Sequence, residues 1–516
     1  MENSSENKRL AINLISNCIA FAVNFIISFF LTPYIVEHIG KEVYGFVSLG
    51  NNFVNYASLI SLAINSMASR FITIKIHRND YETANKYFAS VLLSNIIICL
   101  ILLIPSIFIV VFLDRIVDVP SENVIDIKVL WALLFINFFI NLIGDVYKIA
   151  TFAKDRVDLS AKRNIEAYII KAIILIIAYY FFNPFVLYIG IATIISTIYN
   201  TIVNIRYTKK LMPEIKFNTN NFDKNCLKEL FFSGIWNTVS RVGSIALTEL
   251  DLLLSNLLID ASAMGTLSLV KTIPNYMTSF TSTITTTFMP QLTIAYANNE
   301  KDSKLMLEKA RNSIRILLFF NSIMYGILIA FSDKFYSLWL PNYSAEEVNY
   351  MYYVGIIAIS GCFISAVSNV MFNIFNVYNK LKLSSITVII TGIVSCICTY
   401  FVVKYTNLGL YAIAGVSVIL VVIRNVAIIM PYAAKLMNLP WYTFYKDVMQ
   451  NIFIILISIA IGVMYKSIIN VNSWLTFLCV CIISAITIMI INYFLVLKKE
   501  ERKIILRKIF NKKGWE

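Results

Sequence analysis

YFASVLLSNIIICLILLIPSIFIVVFL, residues 87–113, runs for 27 positions without a charged side chain and with only Pro105 as a helix breaker. At about 1.5 Å rise per residue such a helix exceeds the ~30 Å hydrocarbon core of a bilayer. The blocks at 165–183, 382–403 and 474–497 read the same way. Across all 516 residues, 58% are hydrophobic and 14% charged, where a soluble chain carries about a quarter charged. A soluble multidomain enzyme is excluded, and a polytopic, all-α integral membrane protein is expected. The opening MENSSENKR leads into a full-length apolar segment with no small-residue cleavage site, so no cleavable signal peptide is expected.

Apolar blocks of about 20 residues predict about fourteen transmembrane helices, near 10–33, 44–66, 87–113, 124–147, 165–183, 185–205, 229–258, 263–296, 313–332, 348–377, 382–403, 408–433, 448–466 and 474–497. The net charge of +14 does not point to nucleic acid, because its distribution follows the loops. The N-terminus, the even-numbered loops and the tail hold 33 of the 44 Lys and Arg, and the odd-numbered loops hold five. That asymmetry puts both termini in the cytoplasm, with the tail from Lys498 to Lys513 against anionic lipid headgroups. The eight cysteines sit mostly in apolar blocks, and only two histidines occur, His38 and His77. No metal site and no cofactor are expected.

Sliding the chain by 220 residues lays YGFVSLGNNFVNYAS (44–58) on MGTLSLVKTIPNYMT (264–278). Gly45/Gly265, Ser48/Ser268, Asn55/Asn275 and Tyr56/Tyr276 coincide, as do Thr73/Thr293 and Asn79/Asn299. Polar positions repeat too: Asn13, Asn17, Asn24 and Ser28 in helix 1 fall on Ser233, Asn237, Ser244 and Thr248 in helix 7. The four in helix 1 lie within about 60° of one another at 100° per residue. Two pseudo-symmetric six-helix lobes follow, 1–220 and 221–440, with 441–516 supplying two further helices and the basic tail. A site enclosed between lobes of the same orientation is expected.

Charges inside spans are costly and normally face a cavity or a partner. Arg241 continues the stripe of Asn237 and Ser244 and either lines a cavity or forms a structural ion pair. Asp251 lies on the edge of that stripe, while Glu249 points about 120° from its centre on a straight helix. In helix 8, Lys271 shares a face with Asn275, beside Pro274; its counterpart in helix 2 is Asn51. Lys171 starts near a helix end, where snorkelling competes with a site role. Asp145 and Lys148 are spaced to pair with each other, and Arg424 stays open. The substrate-binding candidates are therefore Arg241, Lys271, Asn24, Asn51, Asn237, Ser244, Asn275, Lys171 and Arg424. The carboxylates available for proton or sodium coupling are Asp251, Glu249 and Asp145. The small cationic excess suits an anionic ligand. No Walker sequence and no polar catalytic loop appears, so an enzyme is not expected.

The opening NxxxNxxxFxxxxxxxxFLTPYIVEHIGKEVYGF, the stretch LTPYIVEHIGKEVYGFVSLG (31–50) and the LWLPNY segment (338–343) resemble the polysaccharide transport family of the MOP exporter superfamily. The resemblance covers essentially the whole chain. It implies an alternating-access carrier in the bacterial cytoplasmic membrane that flips a polyprenyl-pyrophosphate-linked oligosaccharide from the inner to the outer leaflet. It also implies a cationic central cavity, to which Arg241 and Lys271 correspond, and a polysaccharide polymerase as a working partner. Lipid II flippases have a basic residue in helix 1 where this chain has Asn24, which disfavours a peptidoglycan precursor. Two alternatives stand beside this reading: a multidrug cation exporter of the same superfamily, and a non-transporting scaffold for envelope assembly.

Overall fold

In a computed structural model of the chain, residues 2–154, 156–286, 288, 292, 303–378, 380–497 and 502 are described, with side chains from residue 16 onward except 17, 18, 157 and 286. Among them there is no β-strand. Fourteen long helices follow one another: α1 (Glu2–Ile39), α2 (Lys41–His77), α3 (Tyr81–Val111), α4 (Val124–Gly144), α5 (Val157–Phe181), α6 (Leu187–Leu211) and α7 (Lys224–Thr248); then α8 (Ala261–Thr286), α9 (Ser303–Trp339), α10 (Ala345–Ser360), α11 (Lys382–Tyr405), α12 (Leu410–Arg424), α13 (Tyr445–Ile468) and α14 (Trp474–Leu495). Twelve of the helical segments among the described residues are long and apolar enough to cross a membrane. The two outside that set, α7 and α8, span 25 and 26 residues and carry polar stripes. Large apolar side chains point away from the protein along the spans; Ile104 and Leu475 are each 74% exposed. This is an all-α, multi-pass membrane protein.

Sequence punctuation sets the helix starts. Asp80 caps α3 by accepting from the Thr83 amide, and Ser344 forms a reciprocal capping box with Glu347 at α10. Gly40, at φ 80°, separates α1 from α2 where a side chain would be strained.

Two compact units divide the chain, residues 1–268 and 269–516. This packing boundary falls later than the 220/221 boundary expected from the repeat, because α7 lies along α2 and α3. In the first unit Ile72, Phe88, Leu142, Met212 and Leu230 belong to one buried core. The first turns of α8 cross α2 so closely that a Cβ on Gly265 would meet the Lys41 carbonyl at 2.5 Å. Ser48 and Ser268, matched by the 220-residue repeat, share a hydrogen bond of 2.7 Å at that crossing.

In the second unit a core around Ile314, Met371, Phe375 and Met430 is separate from a smaller one around Phe331 and Val480. The helices beyond the repeat, α13 and α14, pack along α9. A Cβ on Gly462 would stand 2.5 Å from the Gly326 carbonyl oxygen. Asn492 donates to Ser322 at 2.7 Å, and Lys466 meets Asp333 at 2.7 Å. Such close backbone approach and interhelical polar contacts are how spans adhere without a hydrophobic gain.

Several helices are interrupted where the sequence suggests one continuous span. The expected helix 7, 229–258, breaks at Glu249 and resumes as Leu250–Leu258. The expected helix 10, 348–377, turns through 361–364 before Ser365–Val377. α12 passes through a π-turn, Asn425–Ile429, into Met430–Leu436, and α4 ends in a 3₁₀ turn, Asp145–Lys148. Freed carbonyls inside a membrane need donors, and neighbouring helices supply them. At the α4 turn Asn95 donates to Leu142 O and Thr208 to Tyr147 O, both at 2.9 Å. At the α10 break Tyr325 reaches Cys362 O at 2.7 Å and Asn451 reaches Phe363 O at 2.6 Å. The run of helix 8 past residue 286 and the basic tail lie outside the described residues.

Candidate functional site

Inside the first unit, polar faces of several helices surround a cavity of about 530 Å³. From α1 come Asn24, Ser28 and Thr32, spaced four apart and so on one face. From α2 come Tyr44, Ser48 and Asn51. From α5 come Asn164, Tyr168 and Lys171, at i, i+4 and i+7, and facing them on α6 are Thr193, Ser196, Thr197 and Asn200. Asn141 and Lys148 close the lining beside the 3₁₀ turn.

Most of the lining is tied down. Asn200 donates to the Asn164 side chain at 2.9 Å, and Asn51 donates back to Val47 O at 2.9 Å. Thr193 and Ser196 bond to carbonyls of their own helix at 2.7 and 2.8 Å. Asn24, Ser28 and Thr197 make no side-chain hydrogen bond among the described residues, so their polar groups remain for a ligand or water.

The two lysines of the lining differ. Lys148 holds Asp145 at 2.5 Å and Asn141 at 3.2 Å, so its charge is matched. Lys171 is half-buried and has no hydrogen bond or ion pair among the described residues. The nearest carboxylate along α5, Glu166, is already engaged: Arg163 binds it at 2.5 Å and the Tyr199 hydroxyl donates to it. Arg163 further donates to the Tyr207 hydroxyl at 2.9 Å. The cavity therefore carries one net, uncommitted positive charge. An ammonium on a membrane-spanning helix costs about 2.5–3.5 kcal/mol on insertion scales, and a polar cavity is where that cost is least.

The cavity gathers Asn24, Asn51 and Lys171 from the sequence candidates. The side chains of Asn13 and Asn17 lie outside the described residues. Arg241 stands elsewhere, bound to Glu249 at 2.5 Å, which is the ion-pair alternative. The straight-helix projection that turned Glu249 about 120° from the centre of the polar stripe does not hold, because the helix breaks at Glu249 itself. Its backbone carbonyl takes a bond from Asn52 at 2.8 Å. Asn237 donates to Ser66 at 3.2 Å, Ser244 bonds to Ser240 O at 3.0 Å, and Asp251 is buried. In the second unit, Lys271 is half-buried and Asn275 exposed on α8, while Arg424 is buried against the side chain of Asn425. Asp145 is the partner of Lys148.

Sequence reading missed the α5 and α6 stripes. Their signal is present as Asn164-Tyr168-Lys171 and Thr193-Ser196-Thr197-Asn200, each at helical spacing. Asn164 was counted in a loop, and α6 passes for apolar because Ile and Tyr dilute its polar face.

Membrane-spanning helices of the first unit thus enclose a polar, net cationic cavity. Residues 10–294, more than half the chain, match the family described as "Polysaccharide biosynthesis protein", and the chain belongs to that family. It is 24% identical over 507 residues to the "Uncharacterized membrane protein EpsK" of Bacillus subtilis (strain 168), covering 98% of this chain and 99% of the relative. Among solved structures it is similar to the lipid II flippase MurJ in an inward closed conformation, with a TM-score of 0.68 at 14% identity. That match covers 97% of this chain and 99% of MurJ. An inward-facing multidrug resistance MATE family transporter of the MOP superfamily matches with a TM-score of 0.63 at 14% identity, over 83% and 97% of the two chains. At these identities the structures establish a shared fold. The resemblance carried by residues 31–50 is thus matched by family and fold, and the chain is a multi-pass membrane protein of the polysaccharide biosynthesis family.

Proposed function

We propose that this protein is a flippase that moves an anionic, polyprenyl-(pyro)phosphate-linked oligosaccharide from the inner to the outer leaflet for surface polysaccharide assembly. Its setting is the bacterial cytoplasmic membrane, with both termini cytoplasmic as the loop charges indicate. The observation that carries this reading is the polar cavity of the first unit, whose Lys171 is the cation left uncommitted. A cation exporter would be served by a free carboxylate; among the described residues no carboxylate lines the cavity, and Asp145 and Glu166, which neighbour its lining along the chain, are both bound to basic partners. The first anion contact is assigned to Lys171 and not to Arg241, which Glu249 already holds. Lys271 is a second cation for the substrate. Asp251, buried on the segment after the α7 break, is the leading group for proton or sodium coupling. The chain acts as a carrier and not as an enzyme, and a polysaccharide polymerase takes up its product.

Deleting the gene in its host tests the reading. Surface polysaccharide should fall while the lipid-linked repeat unit accumulates and stays shielded from an external glycosidase in spheroplasts. Accumulation of a unit that the glycosidase does reach would point to a scaffold for later assembly, and unchanged polysaccharide would remove the assignment.

A further inference from the structure

We propose that the cavity of the first unit is a subsite for a single anionic sugar residue, with the Lys171 ammonium on its carboxylate or phosphate and the free amide and hydroxyls of Asn24, Ser28 and Thr197 on its hydroxyls. This inference rests on the transport reading above and narrows its substrate class.

The lining is wrong for a drug-like or prenyl ligand. Sites for such molecules are mostly apolar with a few polar groups, whereas here amides and hydroxyls from several helices dominate. A sugar ring presents hydroxyls that both donate and accept, and the amide group likewise does both. The volume, about 530 Å³, lies within the ~300–1,000 Å³ of small-ligand sites, so a ring fits and a whole oligosaccharide does not. Ile27 and Leu31, on the α1 side of the lining, offer an apolar patch for the C–H face of a ring.

Charge sets the class more narrowly. Among the described residues Lys171 is one compact point charge without a partner, and no arginine lines the cavity. An ammonium accepts a carboxylate or a phosphate with little geometric demand, whereas a paired guanidinium would favour bidentate capture. A pyrophosphate linker would set two adjacent anionic groups against this single free ammonium. One acidic group on one sugar matches it.

The test uses the purified full chain in nanodiscs, with binding read by saturation-transfer NMR and calorimetry. The probes are glucuronate, glucose 1-phosphate, glucose and inorganic pyrophosphate. At least one charged sugar should bind about tenfold more tightly than glucose. Lys171→Gln should abolish that preference, and Lys171→Arg should keep most of it. Thermal melting of each variant shows that it is folded, and the arginine variant keeps the test valid if the glutamine variant is not. Glucuronate and glucose 1-phosphate separate a uronate from a phosphorylated sugar as the source of the charge. Equal binding of glucose and both charged sugars, or a preference that survives Lys171→Gln, would overturn the subsite. Pyrophosphate alone binding as tightly as a charged sugar, and depending on Lys171, would reassign the cavity to the linker and overturn it as well. Gene deletion reads independently: lost export without a charged-sugar preference removes the subsite alone, and a preference with normal export removes the transport reading alone.

Discussion

Lys171 in the first unit and Arg424 in the second both lie within membrane-spanning helices with no carboxylate partner among the described residues, and the two are treated in opposite ways. Lys171, in the first unit, opens onto a polar cavity and keeps its donors uncommitted. Arg424, in the second, is 7% exposed and sealed at a π-turn, where Nε and Nη2 both bond to the Asn425 side-chain oxygen at 3.3 and 3.0 Å. The difference teaches that depth in the membrane does not by itself mark a ligand group. What matters is whether the donors point at space or at a fixed acceptor. A lone cation facing space is available to an anion, whereas one anchored by its neighbour's amide is part of the packing, its burial cost offset by the turn that brings the acceptor into reach. π-Turns within α-helices are the local distortions that permit such a reach.

The largest expected effect separates the two roles. Lys171→Gln should lower surface polysaccharide by about tenfold, the size of ~1.4 kcal/mol of lost anion binding, with protein level and melting temperature unchanged. Arg424→Met should leave export near the parental level, since replacing a buried charge by an apolar side chain of similar length is often neutral or stabilising. Export lost in the Arg424→Met variant at normal protein level would collapse the comparison and make Arg424 a working group.

Where stability and not export is read, the anchoring of Arg424 gives the largest effect. Asn425→Ala leaves the guanidinium buried without its acceptor and should cost about 1.5–3 kcal/mol, the range for hydrogen bonds to charged groups. In an Arg424→Met background the same change should cost under about 1 kcal/mol, because nothing charged remains to be satisfied. A double-mutant cycle of chemical or thermal unfolding reads this coupling. Equal costs in both backgrounds would mean that Asn425 serves the π-turn and not Arg424.

A smaller effect belongs to Arg241. Its partner Glu249 is 15% exposed while Arg241 is 39% exposed, so solvent screens one side of the pair. Arg241→Met should destabilise by about 1–2 kcal/mol, between the values for exposed and buried pairs. Adding Glu249→Gln should recover most of that loss. If instead the single Arg241 variant is stable and export falls, Arg241 joins Lys171 as a substrate contact and the ion pair is incidental.

What could be read from sequence divides along the same physical lines. Apolar length needs no partner to be recognised, so the span 87–113 announces α3, and Asn183-Pro184 marks the gap between α5 and α6. The α1 stripe through Asn24 and Ser28 was legible because a straight helix obeys a fixed 100° step. Glu249 was misplaced for the same reason, since that step fails where a helix breaks. Asn164 and Asn200, which bond to each other across α5 and α6, are visible only once two separate helices are brought together. The commitment of Lys148 to Asp145 was readable from spacing, but the engagement of Glu166 also requires Tyr199 from α6. Which cation stays free is therefore a property of packing.

The smallest expected effect lies at the end of a span and tests the same rule where water screens it. Lys128, at the start of α4, meets Asp114 in the preceding short turn at 2.6 Å. The Lys128 ammonium, donating a hydrogen bond, holds the Asp114 carboxyl below its usual value of 3.8. A carboxyl depressed in the folded state adds stability above its unfolded pKa, and that stability is lost as pH falls through the lower folded value. Melting temperature should therefore decline on acidification below about pH 4, and Lys128→Met should make that decline shallower. The change should be slight, because Asp114 is exposed and Lys128 only half-buried, and pairs open to solvent contribute little. Raised salt should mimic the mutation here by screening, and the contrast with the sealed Arg424 anchor sharpens the comparison. If salt weakened the Asn425→Ala coupling as much as it weakened this pair, Arg424 would have to be reached by solvent and the distinction between an open and a sealed cation would not hold.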